Sequence, residues 1–411
     1  MMLRLLILGL NFHPEPTGIG KYTGELAACL AGQGHQVRVI TTPPYYPHWR
    51  VQAGYRSWQY HQENWQGVRV FRCPLWVPHK PSGIKRILHL LSFALSSFPV
   101  LLGQCSWRPN LILCIAPAFM NAPFALFTAR LSGAKAWLHL QDFELDAAAN
   151  LGLLPAGHLM AKFTGWVERG LLKRFDRIST ISNRMLARLA QKGIAPEKTF
   201  LFPNWVDTGL IFPLPAHRKP LKKELRIPYD KIIVLYAGNM GHKQGLENVI
   251  ETARHLQSQA KIHFVLCGDG ALRSDLESRA EGLPNVQFLP LQPPEKLNGL
   301  LNIADIHLLP QRADAADLVM PSKLSGMLAS GKPVIATANP GTEIAEIVGQ
   351  LGVVTPPGNA LALAEAIRGL ANDPERRRSL GQKGLAWVIA NGSKEKVLND
   401  YFEYMKNNIE Q

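Results

Sequence analysis

Acid is scarce in the first half of this 411-residue chain: residues 1–200 hold nine Asp and Glu against 22 Lys and Arg, whereas residues 201–411 hold 22 against 23. Nearly all of the net charge of +14 therefore sits in one half. A basic half of this kind suits an anionic membrane surface or nucleic acid. Cysteine is sparse too, and Cys29, Cys73, Cys105, Cys114 and Cys267 show no short pair spacing of the kind that holds zinc. Several lie in apolar runs where buried thiols are common, and a reducing cytoplasm is the simplest compartment for them. The second half has no Asp-x-Asp pair at a strand end, so no metal site is expected there. No internal repeat or low-complexity tract is present. Nor is there a clean apolar run of the roughly 20 residues that a membrane span needs. The best approach to one, SGIKRILHLLSFALSSFPVLLG, is interrupted at His89, Ser92, Ser96, Ser97 and Pro99. The opening MMLRLLILGLNF has too short an apolar core for a signal peptide and no small-residue cleavage site, so it reads as a first buried strand.

What is present is the material of a two-domain α/β protein. Hydrophobic residues make up 46% and charged residues 18%, which excludes a disordered chain, and the length exceeds the roughly 250–300 residues at which single cores stop growing. Apolar strand-like runs alternate with helical stretches. LRLLILGL, HQVRVITT, VRVFRCPL, NLILCIAP, KAWLHLQD, RISTIS and TFLFPN fall in the first half, and KIIVLYAG, IHFVLCG, NVQFLPL, IHLLP, KPVIATA and GVVTP in the second. That alternation predicts two doubly wound parallel sheets covered on both faces. DTGLIFPLPAHRKPLKKELRIP, rich in Pro and Lys and without a period, reads as a linker and divides the chain into domains 1–206 and 207–392. SKEKVLNDYFEYMKNNIEQ, residues 393–411, reads as a closing amphipathic helix.

Three stretches of the second half carry chemistry: YAGNMGHKQGLENVI, FVLCGDG and MPSKLSGMLASGKPV. In each, a small-residue turn links a strand to a helix. Such turns aim backbone N–H groups and positive helix ends at one place, where a diphosphate can be held without a metal. Gly238 and Gly241 let backbone approach phosphate oxygens, and Asn239 lies between them. Lys243 and Lys323 add charge, and Ser322 either caps its helix or donates to phosphate. Gly268 and Asp269 end the next strand, and Asp317 and Glu343 are further candidates for sugar or nucleotide contacts.

These motifs resemble those of the family 4 retaining glycosyltransferases, whose GT-B fold places two Rossmann-like domains across a central cleft. The resemblance runs nearly the length of the chain. FHPEPTGIGKYTGELAACLAGQGHQVRVIT is similar to the family's first glycine-rich loop and helix, with Gly18 and Gly20 in the loop positions that the resemblance assigns to donor diphosphate binding. STISNRMLARLAQKGIAPEKTFLFPNWVDT is similar to its serine turn and Asn-x-x-Asp segment, here Ser182, Asn204 and Asp207. GNMGHKQG and MPSKLSGMLASGKP resemble the colanic acid type, which adds a sugar, fucose in the best-known case, to a lipid-linked oligosaccharide for exopolysaccharide. In this family the closing helix crosses back onto the first domain.

Two departures bear on mechanism. Many members have Gly-Arg where this chain has Gly238 and Asn239, so more of the charge falls on Lys243. Many also have two glutamates eight residues apart, at the places of Leu318 and Gly326 here, so the usual ribose carboxylate is missing. Asp314, Asp317 and Glu343 are possible replacements, though none is at the matching position.

The first domain is expected to serve the acceptor. KAWLHLQDFELD brings His139, Gln141, Asp142, Glu144 and Asp146 to a strand's carboxyl end. Asp142 is the preferred group near the reacting sugar, with helix capping as its alternative reading; His13 and Glu15 in the first loop are open in the same way. The stretch around Lys85 and Arg86 reads either as a core-packed crossover or as a helix lying in a membrane plane, with Trp58, Trp65, Trp76 and Trp107 as possible anchors. No nucleic-acid recognition motif is visible. Together these readings predict a metal-independent retaining hexosyltransferase, without a cofactor, taking a GDP- or UDP-linked sugar to a lipid-linked saccharide on the cytoplasmic face of the plasma membrane. A nucleotide-sugar epimerase of the same fold and a non-catalytic membrane or nucleic-acid binder are the alternatives.

Overall fold

The computed structural model describes residues 2–16, 18–79, 83–117, 119–143, 158–215, 220–314 and 322–409, with backbone only for 158–163, 220 and 322. The chain divides into two compact units, 1–203 with 400–411, and 204–399.

The strands of the first unit are β1 (Arg4–Gly9), β2 (Gln36–Thr41), β3 (His61–Trp65), β4 (Val68–Arg72), β5 (Leu111–Ala116), β6 (Lys135–Leu140), β7 (Arg177–Thr180) and β8 (Thr199–Leu201). They form one sheet in the order β3-β4-β2-β1-β5-β6-β7-β8. β1 sits near its middle, with Leu5 opposite Val37 on one side and Leu111 on the other. β5 is buried along its whole length, as a parallel strand covered on both faces must be.

The sequence predicts an all-parallel sheet, and β3 corrects it, because this edge strand runs antiparallel to β4. Its sequence, HQENW, has no apolar run to announce a strand. A two-residue turn makes it: Gln66 and Gly67 both have positive φ, so Trp65 pairs with Val68 across a tight hairpin.

The second unit holds β9 (Ile232–Ala237), β10 (Ile262–Cys267), β11 (Val286–Leu289), β12 (Ile306–Leu309), β13 (Val334–Thr337) and β14 (Val353–Thr355). Their order is β11-β10-β9-β12-β13-β14, every pairing parallel. The chain winds outward from β9 to β11 and then returns to β12 on the other side of β9. Loops leaving the carboxyl ends of β9 and β12 thus diverge, and ligands bind at such a point in open α/β sheets.

The described residues of the stretch read as a linker pack into this unit. Ile211 joins a core with Leu301, Leu324 and Met327, and Leu221 and Ile227 join another with Leu235 and Ile303. Asn302 accepts from Leu214 N–H at 2.7 Å and donates to Phe212 carbonyl oxygen at 2.9 Å. Proline-rich sequence here marks irregular backbone, held by a buried side-chain amide. The closing helix, Lys394–Ile409, contains the line between the units. Its last turns belong to the first: Tyr401 stacks on Phe202 at 4.3 Å, Tyr404 on Phe200 at 4.0 Å, and Asn408 accepts from Arg177 at 2.9 Å.

Candidate active site

β9 and β10 end side by side. Gly238 N–H donates to Cys267 carbonyl oxygen at 2.8 Å, and Gly268 N–H to that of Leu289 at 3.1 Å. A Cβ on Gly268 would stand 1.8 Å from the carbonyl oxygen of Gly238, and both residues have φ near +150°, where L side chains are strained. Beyond them the turns interlock, Met240 N–H donating to Asp269 carbonyl oxygen and Leu272 N–H to that of Met240. Arg273 closes the joint by donating to the carbonyls of Gly268 at 2.5 Å and Leu289 at 3.0 Å. No motif marks Arg273 in the sequence; one turn further along the helix it also pairs with Glu277 at 2.9 Å.

Lys323 completes this corner from the other side of the switch point, at the start of the helix Ser322–Ala329. Its Nζ lies 3.3 Å from Tyr236 Oη and 5.0 Å over that ring, and Tyr236 Oη donates to Asn239 carbonyl oxygen at 2.5 Å. Burial lowers the Lys323 amine to about 8. The fold thus gathers Gly238, Asn239, Gly268 and Lys323.

Lys243 is placed differently. It stands exposed on the one-turn helix His242–Gln244, and its carbonyl accepts Arg312 N–H at 3.1 Å. Gly245 then caps the helix Leu246–His255. The sequence put most weight on Lys243, whereas the amine packed against the glycine turn belongs to Lys323.

Among the carboxylates, Asp269 is exposed and accepts Gly270 N–H at 2.8 Å, capping its own turn. Glu343 is buried in the first turn of the helix Glu343–Leu351, which Thr342 caps by accepting Ala345 N–H at 3.2 Å. Asp314 pairs with Arg312 at 2.9 Å. Leu318 and Asp317 lie outside the described residues, as does the side chain of Ser322.

In the first unit, Gly18 and Gly20 open the helix Gly18–Gly32. A Cβ on Gly20 would come 2.7 Å from Glu15 Oε2, so the missing side chain makes room for that buried carboxylate. Glu15 accepts from the backbone N–H groups of Tyr45 and Tyr46 and from Asn11 Nδ2, all within 3.0 Å. Burial raises its pKa despite these bonds. Its oxygens are engaged in bracing the loop.

His13 stacks on Trp65 at 4.2 Å, and burial together with Arg72 lowers its pKa. Asp142 lies half-buried just past β6, at a small void it shares with Phe119, Phe143 and Glu168. Glu168 pairs with Lys192 at 2.6 Å. His139 is buried between Ser179 Oγ at 2.9 Å and Gln141 Nε2 at 3.0 Å, and burial drives it down to about 3, so it is neutral. Glu144 and Asp146 lie outside the described residues. Ser182 caps the helix Asn183–Gln191 through Met185 N–H at 3.2 Å, and Asp207 pairs with Lys394 at 3.1 Å.

The apolar stretch after Gly83 forms one helix, Gly83–Gly103, that continues through Pro99. Its serines bond their own backbone, as Ser96 Oγ does to Phe93 and Ser97 Oγ to Ala94, so they do not break it. With the turn that follows, Gly83–Trp107 is, among the described residues, the helix long and apolar enough to cross a membrane by length and composition. One face is buried through Leu90, Phe93, Ala94, Ser97 and Leu101. The opposite stripe, Ile84, Ile87, Leu88, Leu91 and Leu95, is exposed. Trp58 and Trp76 are exposed as well, but Trp65 packs on Phe12 and His13, and Trp107 lies under Arg38 at 4.1 Å. Among the described residues no group of three or more His, Cys, Asp and Glu side chains is arranged to hold a metal ion. None of the five cysteines forms a disulfide.

Comparison with known proteins agrees with this architecture. The glycosyl transferase 4-like domain matches residues 17–205, and the domain of glycosyl transferases group 1 matches 217–387. The putative colanic acid biosynthesis glycosyl transferase WcaI of Escherichia coli K12 is 43% identical over 374 residues, covering 89% of this chain and 91% of that protein. Among solved structures, sucrose-phosphate synthase from Thermosynechococcus elongatus superposes with a TM-score of 0.73 at 20% identity, covering 98% of this chain and 99% of that one. Anabaena HepE, in a complex with UDP, gives 0.70 at 16% identity, covering 98% and 100%. These two likenesses show the GT-B fold of two Rossmann-like domains. By its two matched domains and its identity along most of its length, the chain belongs to the glycosyltransferases.

Proposed function

We propose that this glycosyltransferase moves a hexose from a nucleoside diphosphate sugar to a lipid-linked oligosaccharide, with retention of configuration and without a metal. The observation that carries the reading is the corner where Gly238 and Gly268 bring bare backbone beside the Lys323 amine. Backbone and a poised cation at the switch point of a parallel sheet suit a diphosphate. The UDP complex of HepE supports a nucleotide-linked donor, and the 43% identity to a protein named for colanic acid biosynthesis supports exopolysaccharide assembly.

As the bond between sugar and diphosphate lengthens, negative charge grows on the leaving oxygen and positive charge on the sugar ring. Lys323 and Lys243 stabilise the first, and groups that strengthen their hold in the transition state raise the rate. The leaving phosphate then accepts the proton of the acceptor hydroxyl on the same face of the sugar. Asp142 is the candidate carboxylate for the acceptor side. The exposed apolar stripe of Gly83–Gly103, with Lys85 and Arg86 at its start, fits a peripheral seat on the anionic inner face of the plasma membrane.

A thermal-shift screen of nucleoside diphosphates tests the donor reading, because about 100-fold excess over Kd adds roughly 2.7 kcal/mol of stability. Radiolabelled transfer into a lipid extract tests the acceptor. A changed free sugar with no labelled lipid would mean an epimerase, and neither outcome would mean a binder.

A further inference from the structure

A cavity of about 430 Å³ opens on the first unit, between the loop after β2, the segment after β4 and the helix Gly83–Gly103. Its walls carry three indoles, Trp49, Trp58 and Trp76, with Ser57, Arg50 and His79 among them. One buried side chain touches both the Trp49 ring and the Trp76 backbone. His89 Nδ1 lies 2.7 Å from the carbonyl oxygen of Trp76 and its Nε2 3.1 Å from Tyr45 Oη, while its ring packs on Trp49 at 5.2 Å. Trp49 is held at φ 51°, a conformation bulky residues rarely adopt without a reason in their surroundings. The Pro74–Trp76 segment is tied to the helix: Ser92 Oγ accepts Trp76 N–H at 3.1 Å, and Ser96 Oγ donates to Pro74 carbonyl oxygen at 2.6 Å.

The lining chemistry selects its occupant. A pyranose ring has C–H faces that stack on the electron-rich faces of indoles, and a rim of hydroxyls that needs donors and acceptors. The volume falls within the range of small-molecule sites, and Arg50 with no acid on the wall admits a neutral or an acidic sugar. A bare hydrocarbon chain would leave Arg50, Ser57 and His79 without a use. Ser92 and Ser96, on the cavity wall, directly follow Leu91 and Leu95 of the exposed apolar stripe, so the opening adjoins the face proposed to meet lipid.

We propose that this cavity is a saccharide subsite, holding a sugar ring of the acceptor against Trp58 and Trp76 while the acceptor's lipid anchor remains in the membrane beneath Leu88 and Leu95. The assignment rests on the lipid-linked acceptor reading above. Saturation-transfer NMR with methyl glycosides of glucose, galactose, mannose, fucose, N-acetylglucosamine and glucuronic acid, each on the order of tens of millimolar, reads it without any transfer reaction. At least one should bind the wild-type protein. Trp58→Ala and Trp76→Ala should each weaken that binding by about tenfold, the scale of one lost aromatic partner, and Trp58→Phe should restore most of it. The double variant Leu88→Ser with Leu95→Ser should bind the glycoside normally but pellet less with vesicles of phosphatidylglycerol. Binding of no glycoside, or unchanged binding in both folded tryptophan variants, overturns the proposal. So does a loss of vesicle binding alone in those variants, which would make the tryptophans membrane anchors. Glycoside binding by a protein that shows no nucleoside diphosphate shift would instead fault the transferase reading and leave the subsite standing.

Discussion

A Cβ built on Gly238 would stand 2.0 Å from the Nζ of Lys323, so the amine occupies the space that any other residue at 238 would fill. Gly238→Ala therefore moves Lys323 and strains a backbone held at φ 147°. Both effects fall on the same corner. The expected result is a loss of about 1–3 kcal/mol of stability from the strain, with weakening of nucleoside diphosphate binding by tenfold or more. Lys323→Met, which keeps the stem over Tyr236 but removes the charge, should weaken binding as much with an unchanged or higher melting temperature. Normal diphosphate affinity in Lys323→Met would detach this amine from the donor.

The pH dependence of donor binding follows from the same amine. Burial holds Lys323 at about 8 in the free protein, below its ordinary 10.5. Between those values the unfolded chain binds more protons than the folded one, so this group makes stability rise with pH across that window. A bound diphosphate favours the charged amine and reverses the preference. Binding should therefore take up a proton above pH 8, and affinity should fall by up to about tenfold per pH unit there. Calorimetry at about pH 9 in two buffers of different ionisation enthalpy measures this uptake, and equal observed heats in the two buffers would count against it.

Lys243→Ala should lower kcat by roughly a hundredfold, the scale of one preorganised donor lost from a developing oxyanion. Its exposed place on the turn His242–Gln244 predicts a melting temperature close to wild type. Wild-type turnover would leave Lys323 and the helix starts as the diphosphate holders.

Transfer should persist in EDTA, because backbone turns and two lysines are assigned the work a divalent ion would otherwise do. Abolition by the chelator with rescue by Mg²⁺ or Mn²⁺ would refute that assignment.

Salt should release the protein from phosphatidylglycerol vesicles, and Lys85→Glu with Arg86→Glu should weaken the binding, if the basic half supplies most of the attraction. Equal pelleting with neutral and anionic vesicles at every salt concentration would leave apolar insertion through Ile84, Leu88 and Leu95 as the driving force.

The sequence by itself determined the strands that are buried on both faces and the turns that end them. Runs such as LILCIA and IHFVLC have no soluble alternative to burial, and a glycine after a strand, as at Gly238 and Gly268, marks a turn at a φ that side-chain-bearing residues rarely adopt. It could not show β3, because HQENW becomes a strand through its hairpin and the partner it finds in β4. Nor could it rank the two lysines. Lys243 and Lys323 look alike as letters, and only the return of the chain from β11 to β12 carries Lys323, 85 residues after Gly238, back against it. Glu15 and Arg273 were decided in the same way, since a carboxylate or guanidinium becomes a brace when folding sets it against backbone groups that need partners. Tertiary structure likewise exposed one stripe of Gly83–Gly103 and fixed Trp49 and Trp76 on His89, because burial is a property of neighbours that local sequence does not name.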